Sequence, residues 1–331
     1  MAASRIDTHH HAVPDFYRAW LTGHGIDAGG MPIPRWTPEA SRRHMRLTGV
    51  RTAILSVSTP QVSLANRSDA RAMARDLNEY LHGLVVAEPG TFGYFATLPL
   101  PDLEGALDEV RRAYDRLTAD GVCLLANYGG TYLGDPVYEP LMAELDRRSA
   151  VVFVHPSALP GPDVPGLPPY AADFLLDTVR AALNLARRGV LGRYPRIRFI
   201  LAHGGGFVPF AAGRLAPAAS ERGNVVEGFR RLRRFYFDTA LAGTPYALPA
   251  LMRFATKGHV TYGSDFPYAP GAATVASAAY QSVTRVGRRA TSVAESNALA
   301  LFPRLVPVVP EIRLPEPVGP ELEGPRTPEL R

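Results

Sequence analysis

Short apolar runs alternate with longer amphipathic stretches along most of the chain. The runs are continuous and rich in Val, Ile, Leu and Phe, which is typical of strands that are buried on both faces of a parallel sheet. Eight runs are predicted as strands, at residues 5–8, 51–57, 92–96, 122–126, 151–155, 198–203, 235–238 and 260–264.

Apolar residues at helical spacing fill most of the gaps between these runs. Seven helices are predicted, at residues 68–86, 102–119, 138–148, 173–188, 210–219, 245–255 and 292–301. A strand followed by a helix, repeated along the chain, favours an α/β fold in which the strands close on themselves. We therefore expect a (β/α)₈ TIM-type barrel.

Two stretches rich in Gly and Pro interrupt the alternation. Residues 23–38 follow the motif of the first strand, and residues 156–169 follow the fifth strand. We predict both as loops inserted on the catalytic face, where such loops serve as lids or substrate walls. From residue 303 the chain is rich in Pro and Glu without periodicity. The predicted organisation is one barrel domain over residues 1–302 and an extended tail over 303–331.

Composition and charge narrow the class of protein. Of the 331 residues, 46% are hydrophobic and 20% are charged, as is usual for a globular protein, and the formal net charge is +5. The densest basic cluster, at residues 230–234, is interpreted as a solvated helix face, because no aromatic interleaving accompanies it. Nucleic acid is not an expected partner, whereas a modest positive charge favours small anions.

Cysteine content and apolar run lengths bear on the compartment. The chain has one cysteine, Cys123, so no disulfide can form within it and a reducing compartment is expected. The first residues contain no apolar stretch of signal-peptide length, and the longest apolar runs are far shorter than the roughly 20 residues that span a bilayer. We expect a cytoplasmic protein with no membrane partner.

The sequence Asp7-Thr8-His9-His10-His11 lies at the carboxyl end of the first predicted strand. In an extended segment, residues two apart point the same way. His9 and His11 can therefore reach one ion together, while His10 points elsewhere. An H-x-H pair by itself is a weak signal for a metal site.

Three more polar residues stand at or just beyond the carboxyl ends of apolar strands. His155 closes the fifth strand, His203 closes the sixth and Asp265 follows the eighth. In a barrel these ends converge on one mouth, where such enzymes place their chemistry. Imidazoles and a carboxylate suit Zn²⁺ or a similar first-row ion. The other histidines that lack this context are predicted on loops or helix surfaces: His24, His44, His82 and His259.

Four motifs carry a resemblance to a known family. They are Ile-Asp-Thr-His-His-His at 6–11, Val-His-Pro at 154–156, Leu-Ala-His-Gly-Gly-Gly at 201–206 and Tyr-Gly-Ser-Asp-Phe-Pro at 262–267. With these motifs the chain resembles the amidohydrolase superfamily, in the branch that includes α-amino-β-carboxymuconate-ε-semialdehyde decarboxylase and the salicylate-type decarboxylases. Within this branch it is most similar to the 6-methylsalicylate decarboxylases. The match spans residues 6–267.

The resemblance implies a role for each of the five residues. His9, His11 and His155 would be metal ligands, Asp265 would be a ligand or lie beside the metal, and His203 would be the acid or base that also orients substrate. Binuclear amidohydrolases usually place a carboxylated Lys at the end of strand four, but residues 121–127 contain no Lys. One divalent ion is therefore expected, with Zn²⁺ as the first choice and Mn²⁺ as the alternative. The resemblance also implies that the chain assembles as a homodimer or homotetramer.

The implied reaction is the non-oxidative decarboxylation of an ortho-hydroxybenzoate such as 6-methylsalicylate. The metal would bind the carboxylate and the neighbouring phenolate oxygen. Asp265 or His203 would deliver the proton to the ring carbon. The substrate is expected to be a small aromatic carboxylate, and the ring walls are predicted among four aromatic residues: Trp36, Tyr128, Phe207 and Phe266.

Other functions remain open on the residues alone. The same ligands could activate a water for hydrolysis of a lactone or an amide, with Asp265 as general base. Another lyase or a hydratase is a further possibility on the same site. A barrel kept only as a binding scaffold is the non-enzymatic alternative, although it would have no reason to retain all five site residues.

Overall fold

The computed structural model describes residues 5–284 and 292–306. Its strands are β1 (Arg5–His11), β2 (Val50–Ser56), β3 (Phe92–Thr97), β4 (Gly121–Leu125), β5 (Asn127–Tyr128), β6 (Thr131–Tyr132), β7 (Val151–His155), β8 (Arg198–Leu201) and β9 (Tyr236–Phe237). Its α-helices are α1 (Asp15–Gly23), α2 (Pro38–Thr48), α3 (Arg67–Ala87), α4 (Leu103–Asp115), α5 (Glu139–Arg147), α6 (Pro169–Arg187), α7 (Val190–Arg193), α8 (Val208–Leu215), α9 (Val225–Leu232), α10 (Leu248–Phe254), α11 (Gly271–Val283) and α12 (Asn297–Leu301).

Seven strands form one parallel sheet in the order β1-β2-β3-β4-β7-β8-β9, and β5 and β6 form a small antiparallel pair. Isolated parallel bridges join Phe237 to Val260, Asp7 to Tyr262 and His10 to Phe266. The segment 260–266 therefore lies between the two edge strands, and the sheet is curled. The predicted α/β class is confirmed. The predicted eighth strand, at 260–264, is present as bridges rather than as a regular strand.

The region after β1 contains two helices, one on each side of the expected loop at 23–38. Helix α1 comes first, and only residues 24–37, all within the described part of the chain, are free of helix and strand. Pro14 precedes α1, Asp15 lies in its first turn, and Tyr17 and Leu21 are buried one turn apart. Helix α2 follows, where the Thr37 side chain accepts a hydrogen bond from the backbone N–H of Ala40. The sequence pattern predicted neither helix.

A small apolar cluster fills the concave side of the curled sheet, and we call it the inner cluster. It contains side chains from six strands and from the C-terminal part of the described chain: Ile6, Ile54, Phe95, Cys123, Val151, Phe153, Ile200, Ala202, Ala298, Leu301, Phe302 and Leu305. Phe95 stacks on Phe153 with ring centroids 5.4 Å apart, and Phe302 meets Phe95 at 5.8 Å. A larger apolar cluster packs the helices against the sheet.

The predicted tail is described only as far as Val306. Pro303–Leu305 forms a 3₁₀ turn, and Leu305 is buried in the inner cluster. Residues 307–331 lie outside the described residues, so the domain boundary at 302 stays a prediction. Within the described ranges, every helix is too short or too polar to cross a bilayer.

Candidate metal centre

Five buried side chains meet at the carboxyl end of the curled sheet. Ligand atoms of His9, His155, His203 and Asp265 all lie within 4.8 Å of one another. His11 joins them, since its Nε2 lies 3.0 Å from Nε2 of His9 and 3.2 Å from Oδ1 of Asp265. The structure thus brings together all five residues that the strand ends singled out.

The two candidate ligands of β1, His9 and His11, have their Nδ1 atoms bonded to residues of β2 and of the segment after β9. Nδ1 of His9 lies 2.8 Å from Oδ2 of Asp238, a carboxylate with no exposure to solvent. Nδ1 of His11 lies 2.9 Å from the hydroxyl of Ser56, which itself donates to the carbonyl of His10. Because Nδ1 of each ring is bonded to one of these oxygens, Nε2 of each ring is the nitrogen that faces the cluster.

His155 is oriented in the same way by its own chain neighbour. Its Nδ1 lies 2.9 Å from the carbonyl oxygen of Pro156. A carbonyl can only accept, so the proton is on Nδ1 and Nε2 is free. Three imidazoles therefore direct Nε2 into the cluster, and in their neutral form they are a donor set that a first-row divalent ion takes.

Asp265 and His203 complete the centre and contact each other. Oδ1 of Asp265 lies 3.2 Å from Nε2 of both His9 and His11, and Oδ2 lies 3.3 Å from Nε2 of His203. Both residues have a positive φ, 61° for Asp265 and 55° for His203. This left-handed conformation costs about 1–3 kcal/mol in a residue other than Gly, so the surroundings must hold both residues in place.

The charges of the site favour a cation at its centre. Burial disfavours the imidazolium of His9, but the carboxylates of Asp238 and Asp265 outweigh burial and raise the pKa of His9 to about 10. Burial opposes ionisation of Asp265, yet His9 and the other imidazoles hold the pKa of that carboxyl well below its ordinary value. Burial lowers the pKa of His11 to about 4. The two carboxylates therefore already stabilise one positive charge, which a metal ion could supply in place of the His9 proton.

The four predicted ring walls lie at different depths. Trp36 and Tyr128 are buried, and each makes a hydrogen bond: the Trp36 indole donates to Ser41, and the Tyr128 hydroxyl accepts from the backbone of Leu125. Phe207 is half-buried and packs against the larger apolar cluster. Phe266 is also half-buried and lies 5.0 Å from the ring of His10.

Two other aromatic rings contact the ligand imidazoles directly. Tyr268 meets His11 edge-on at 5.3 Å, and Phe174 meets His155 at 6.5 Å between ring centroids. Tyr268 lies three residues beyond Asp265 in the sequence, and Phe174 lies in α6, the helix that follows the segment 156–168. Neither stands at a strand end, so the sequence offered no signal for them.

One histidine assignment needs correction. His44 was expected on a loop or helix surface, but it is only 4% exposed. Its ring stacks on Phe266 with centroids 4.4 Å apart, and burial lowers its pKa to about 4. The helix face that carries His44 packs against the segment 260–266, a neighbour that local sequence could not indicate.

Asp238 and Ser56 are site residues that sequence reasoning missed. Both lie at or next to the carboxyl ends of their strands, β9 and β2. The position of Asp238 after Phe237 could have indicated a site residue, because a carboxylate at the end of an apolar strand is not a typical core residue. Ser56 carried no comparable signal, since a serine at a strand end is common.

Comparison with known proteins agrees with this geometry. The family model described as amidohydrolase matches residues 6–304. A 6-methylsalicylic acid decarboxylase from Penicillium expansum is 37% identical over 326 residues, which cover 94% of this chain and 100% of the relative. A crystal structure of an amidohydrolase II is 31% identical, with a TM-score of 0.86 and coverage of 91% of this chain and 100% of the other.

A more distant structure has the same fold. It is a dihydroxybenzoic acid decarboxylase from Polaromonas sp. JS666 with bound manganese and the inhibitor 2-nitroresorcinol, 20% identical, with a TM-score of 0.75 and coverage of 91% of this chain and 97% of the other. The family match spans nearly the whole chain, and so the chain belongs to the amidohydrolase family. It is an enzyme of the decarboxylase branch of that superfamily, a carboxy-lyase.

Proposed function

We propose that this enzyme is a metal-dependent, non-oxidative decarboxylase of an ortho-hydroxybenzoate such as 6-methylsalicylate. The observation that carries the proposal is the convergence of His9, His11 and His155 on the carboxylate of Asp265. Nε2 of His9 and Nε2 of His11 each lie 3.2 Å from Oδ1 of Asp265, and the ligand atom of His155 lies within 4.8 Å of those of His9 and Asp265. The 37% identical relative, whose name gives 6-methylsalicylic acid as its substrate, supports the choice of substrate class.

The residues present fit one divalent ion. His9, His11, His155 and Asp265 would hold it, and their Nδ1 partners already fix the tautomers that ligation needs. When bound, the ion would anchor the carboxylate and ortho oxygen of the substrate and offset the charge that develops during the reaction. We expect Zn²⁺ first and Mn²⁺ as the alternative, the latter because a structure of the same fold holds manganese.

Proton delivery is assigned to the pair formed by His203 and Asp265. Oδ2 of Asp265 and Nε2 of His203 are 3.3 Å apart, so one proton can be shared between them. Nδ1 of His203 is buried and has no partner among the described residues, which leaves it free to meet substrate. His203 therefore combines a proton-transfer contact with a second nitrogen that can orient the ring.

The bonds that form and break in this reaction balance without an added reactant. The pair gives a proton to the ring carbon that bears the carboxylate, and that carbon becomes tetrahedral. The bond to the carboxylate carbon then breaks, CO₂ leaves, and the electron pair of that bond restores the aromatic ring. The product keeps its hydroxyl group and carries hydrogen in place of the carboxylate, and solvent returns the proton to His203 or Asp265.

The walls of the substrate site are proposed among the aromatic residues. Trp36, Tyr128, Phe207 and Phe266 remain the sequence-based candidates. Tyr268 and Phe174 are added because their rings contact the ligand imidazoles of His11 and His155. An edge-on ring beside a metal ligand is well placed to pack against a bound benzoate.

The test is to follow CO₂ release and substrate loss with metal-analysed protein. 6-Methylsalicylate is compared with 3-hydroxybenzoate, which keeps the carboxylate and hydroxyl but separates them. We expect stoichiometric CO₂ from the ortho compound, one metal ion per chain, and no release from the meta isomer. If metal is bound and no ortho-hydroxybenzoate releases CO₂, the proposal fails, and lactone hydrolysis by the same ligands is the next reaction to assay.

Three further expectations complete the proposal. We propose that segment 260–266 closes the sheet into a full (β/α)₈ barrel, since it bridges both edge strands. We also propose assembly as a homodimer or homotetramer, which sedimentation velocity measures directly. The single cysteine suits a reducing compartment, and we propose the cytoplasm, which localisation of the tagged full chain tests.

A further inference from the structure

A second polar network lies behind the metal centre, on the side of β1 to which His10 points. Its members are Asp7, His10 and Ser41, none of which is exposed, and Trp36, which is 2% exposed. None of these residues belongs to the proposed ligand set. A buried carboxylate is costly unless it is fully hydrogen-bonded, so the use of an Asp here needs a reason.

Asp7 accepts hydrogen bonds at both of its oxygens. Oδ1 accepts from the backbone N–H groups of His9 and Ser264, each at 3.1 Å. Oδ2 accepts from the Ser264 hydroxyl at 2.6 Å and from Nδ1 of His10 at 3.0 Å. The Ser264 hydroxyl in turn accepts from the backbone N–H of Phe266 at 3.1 Å. These bonds hold the residues on both sides of Asp265, as well as the backbone of the ligand His9.

The network continues from His10 into the segment after β1. Because Nδ1 of His10 donates to Asp7, its Nε2 accepts from the Ser41 hydroxyl, 2.9 Å away. The indole N–H of Trp36 donates to the same hydroxyl at 2.8 Å. The hydrogen bonds from Trp36 through Ser41 and His10 to Asp7 are therefore all donated in the same direction, toward Asp7. Residues 24–37 and α2 are tied by this chain to the turn that carries Asp265.

Asp265 needs such support. Its φ of 61° is a left-handed conformation that is unfavourable for a residue with a side chain. The backbone N–H groups of Asp265 and Ser264 reach the carbonyl of His9 at 2.8 and 3.2 Å, so the turn rests on β1 at the same point. A carboxylate at position 7 is the acceptor that binds this turn to the strand that carries His9 and His11.

We propose that Asp7 is a positioning residue for the metal centre: through Ser264 it fixes the turn that aims Asp265 at the ligand imidazoles. The inference rests on the proposed metal site and adds to it a residue that contacts neither metal nor substrate. On this basis Trp36 anchors the far end of the network, which limits its use as a wall for the substrate ring.

The experiment measures metal affinity, not turnover, in Asp7→Asn, Ser264→Ala and a matched control. Asp7→Asn keeps the size of the side chain but replaces one acceptor with an N–H₂ group that faces donors. Outer-shell changes at metal sites typically cost about 10–100-fold in affinity, and we expect that loss for Asp7→Asn and a smaller loss for Ser264→Ala. The measurement is competition for Zn²⁺ with a chromophoric chelator, together with the visible spectrum of the Co²⁺-substituted full chain.

Asp120→Asn is the control for buried-carboxylate loss. The side chain of Asp120 is 3% exposed, and like Asp7 it accepts from a strand N–H, that of Tyr94 at 3.0 Å. It lies at the start of β4, at the opposite end of the sheet from the ligands. We expect Asp120→Asn to lower thermal stability but to leave Zn²⁺ affinity and the Co²⁺ spectrum as in the unmodified protein.

The outcomes separate the inference from the proposed function. If the unmodified chain binds no divalent ion, the metal site itself fails. If it binds one ion and both Asp7→Asn and Ser264→Ala bind it equally well with an unchanged Co²⁺ spectrum, the positioning role is wrong while the site stands. Equal losses in Asp120→Asn would also overturn the inference, because they would show a general effect of destabilisation. Should Asp7→Asn fail to fold, Ser264→Ala alone decides.

Discussion

On the concave side of the sheet, the same strands carry apolar side chains at one end and polar side chains at the other. The inner cluster holds apolar side chains, Phe302 and Leu305 among them, whereas the carboxyl end holds five polar ligand-type residues. In β7 the change occurs within two positions, because Phe153 belongs to the inner cluster and His155 belongs to the metal centre. The Phe153 ring lies 4.8 Å from the ring of His9, so the two regions are in direct contact.

The two regions place different physical requirements on their side chains. The inner cluster needs side chains of suitable volume, and its contacts have no required direction. The candidate metal centre needs directed donor atoms, and the orientation of each imidazole is set by a partner from a distant segment or from the following residue. Asp238, for example, lies 229 positions from the His9 that it orients. Substitutions in the inner cluster should therefore lower the free energy of unfolding, whereas substitutions at the carboxyl end should change metal binding or turnover.

The largest expected effect is the loss of a ligand. We predict that His155→Ala reduces bound metal from one ion per chain to nearly none and abolishes CO₂ release, because one of three Nε2 donors is removed. Metal analysis after gel filtration measures this directly. His259→Ala is the matched control, since His259 stacks on Tyr236 away from the centre and should leave metal content unchanged. Full metal occupancy in His155→Ala would remove His155 from the ligand set.

The second effect separates proton transfer from metal binding. His203→Asn is predicted to keep one metal ion per chain and to lose about 10²–10⁴-fold in kcat, the usual contribution of general acid–base catalysis. The asparagine retains polarity at the site but cannot carry the proton. Paired metal analysis and steady-state kinetics test it. Full activity in this variant would show that the assigned role of His203 is wrong.

The third effect belongs to the inner cluster. We predict that Phe153→Ala lowers the free energy of unfolding by about 3–5 kcal/mol, because it leaves a cavity between Phe95 and His9. Urea denaturation gives this value, and metal content at low denaturant should stay near one ion per chain. Phe153→Leu fills most of the space and should cost far less. A loss of metal in the leucine variant would contradict the separation of the two regions.

The smallest effect concerns the orientation of a ligand. Asp238→Asn is predicted to weaken metal binding about 10–100-fold without loss of stoichiometry at saturating metal. Asp238 accepts from Nδ1 of His9 and from the backbone N–H groups of His203 and Ala240, and an asparagine cannot accept at both atoms. Chelator competition checks the affinity. An affinity equal to that of the unmodified protein would show that His9 needs no partner for its tautomer.

Much of the site was predictable because strand ends are local features. His9, His11, His155, His203 and Asp265 stand at or beside the ends of apolar runs, and parallel strands bring such ends together. The expectation that His10 points away from His9 and His11 is confirmed, since His10 bonds to Asp7 and Ser41. Helices α1 and α2 were not predicted, although neither is shorter than α5, which was.

Periodicity along single elements was enough to indicate an α/β chain with a metal-type cluster at one end of its strands. Which atoms face the cluster was decided only by the tertiary structure. The register of β1 against β2 shifts by one residue between Asp7 and His10, so that Ile6 faces the inner cluster although simple alternation would place it opposite His9 and His11. The Nδ1 partners, the burial of His44 and the role of Asp7 likewise depend on contacts between distant segments. A local pattern carries only the spacing of side chains, whereas hydrogen-bond partners are set when the sheet curls and brings those segments together.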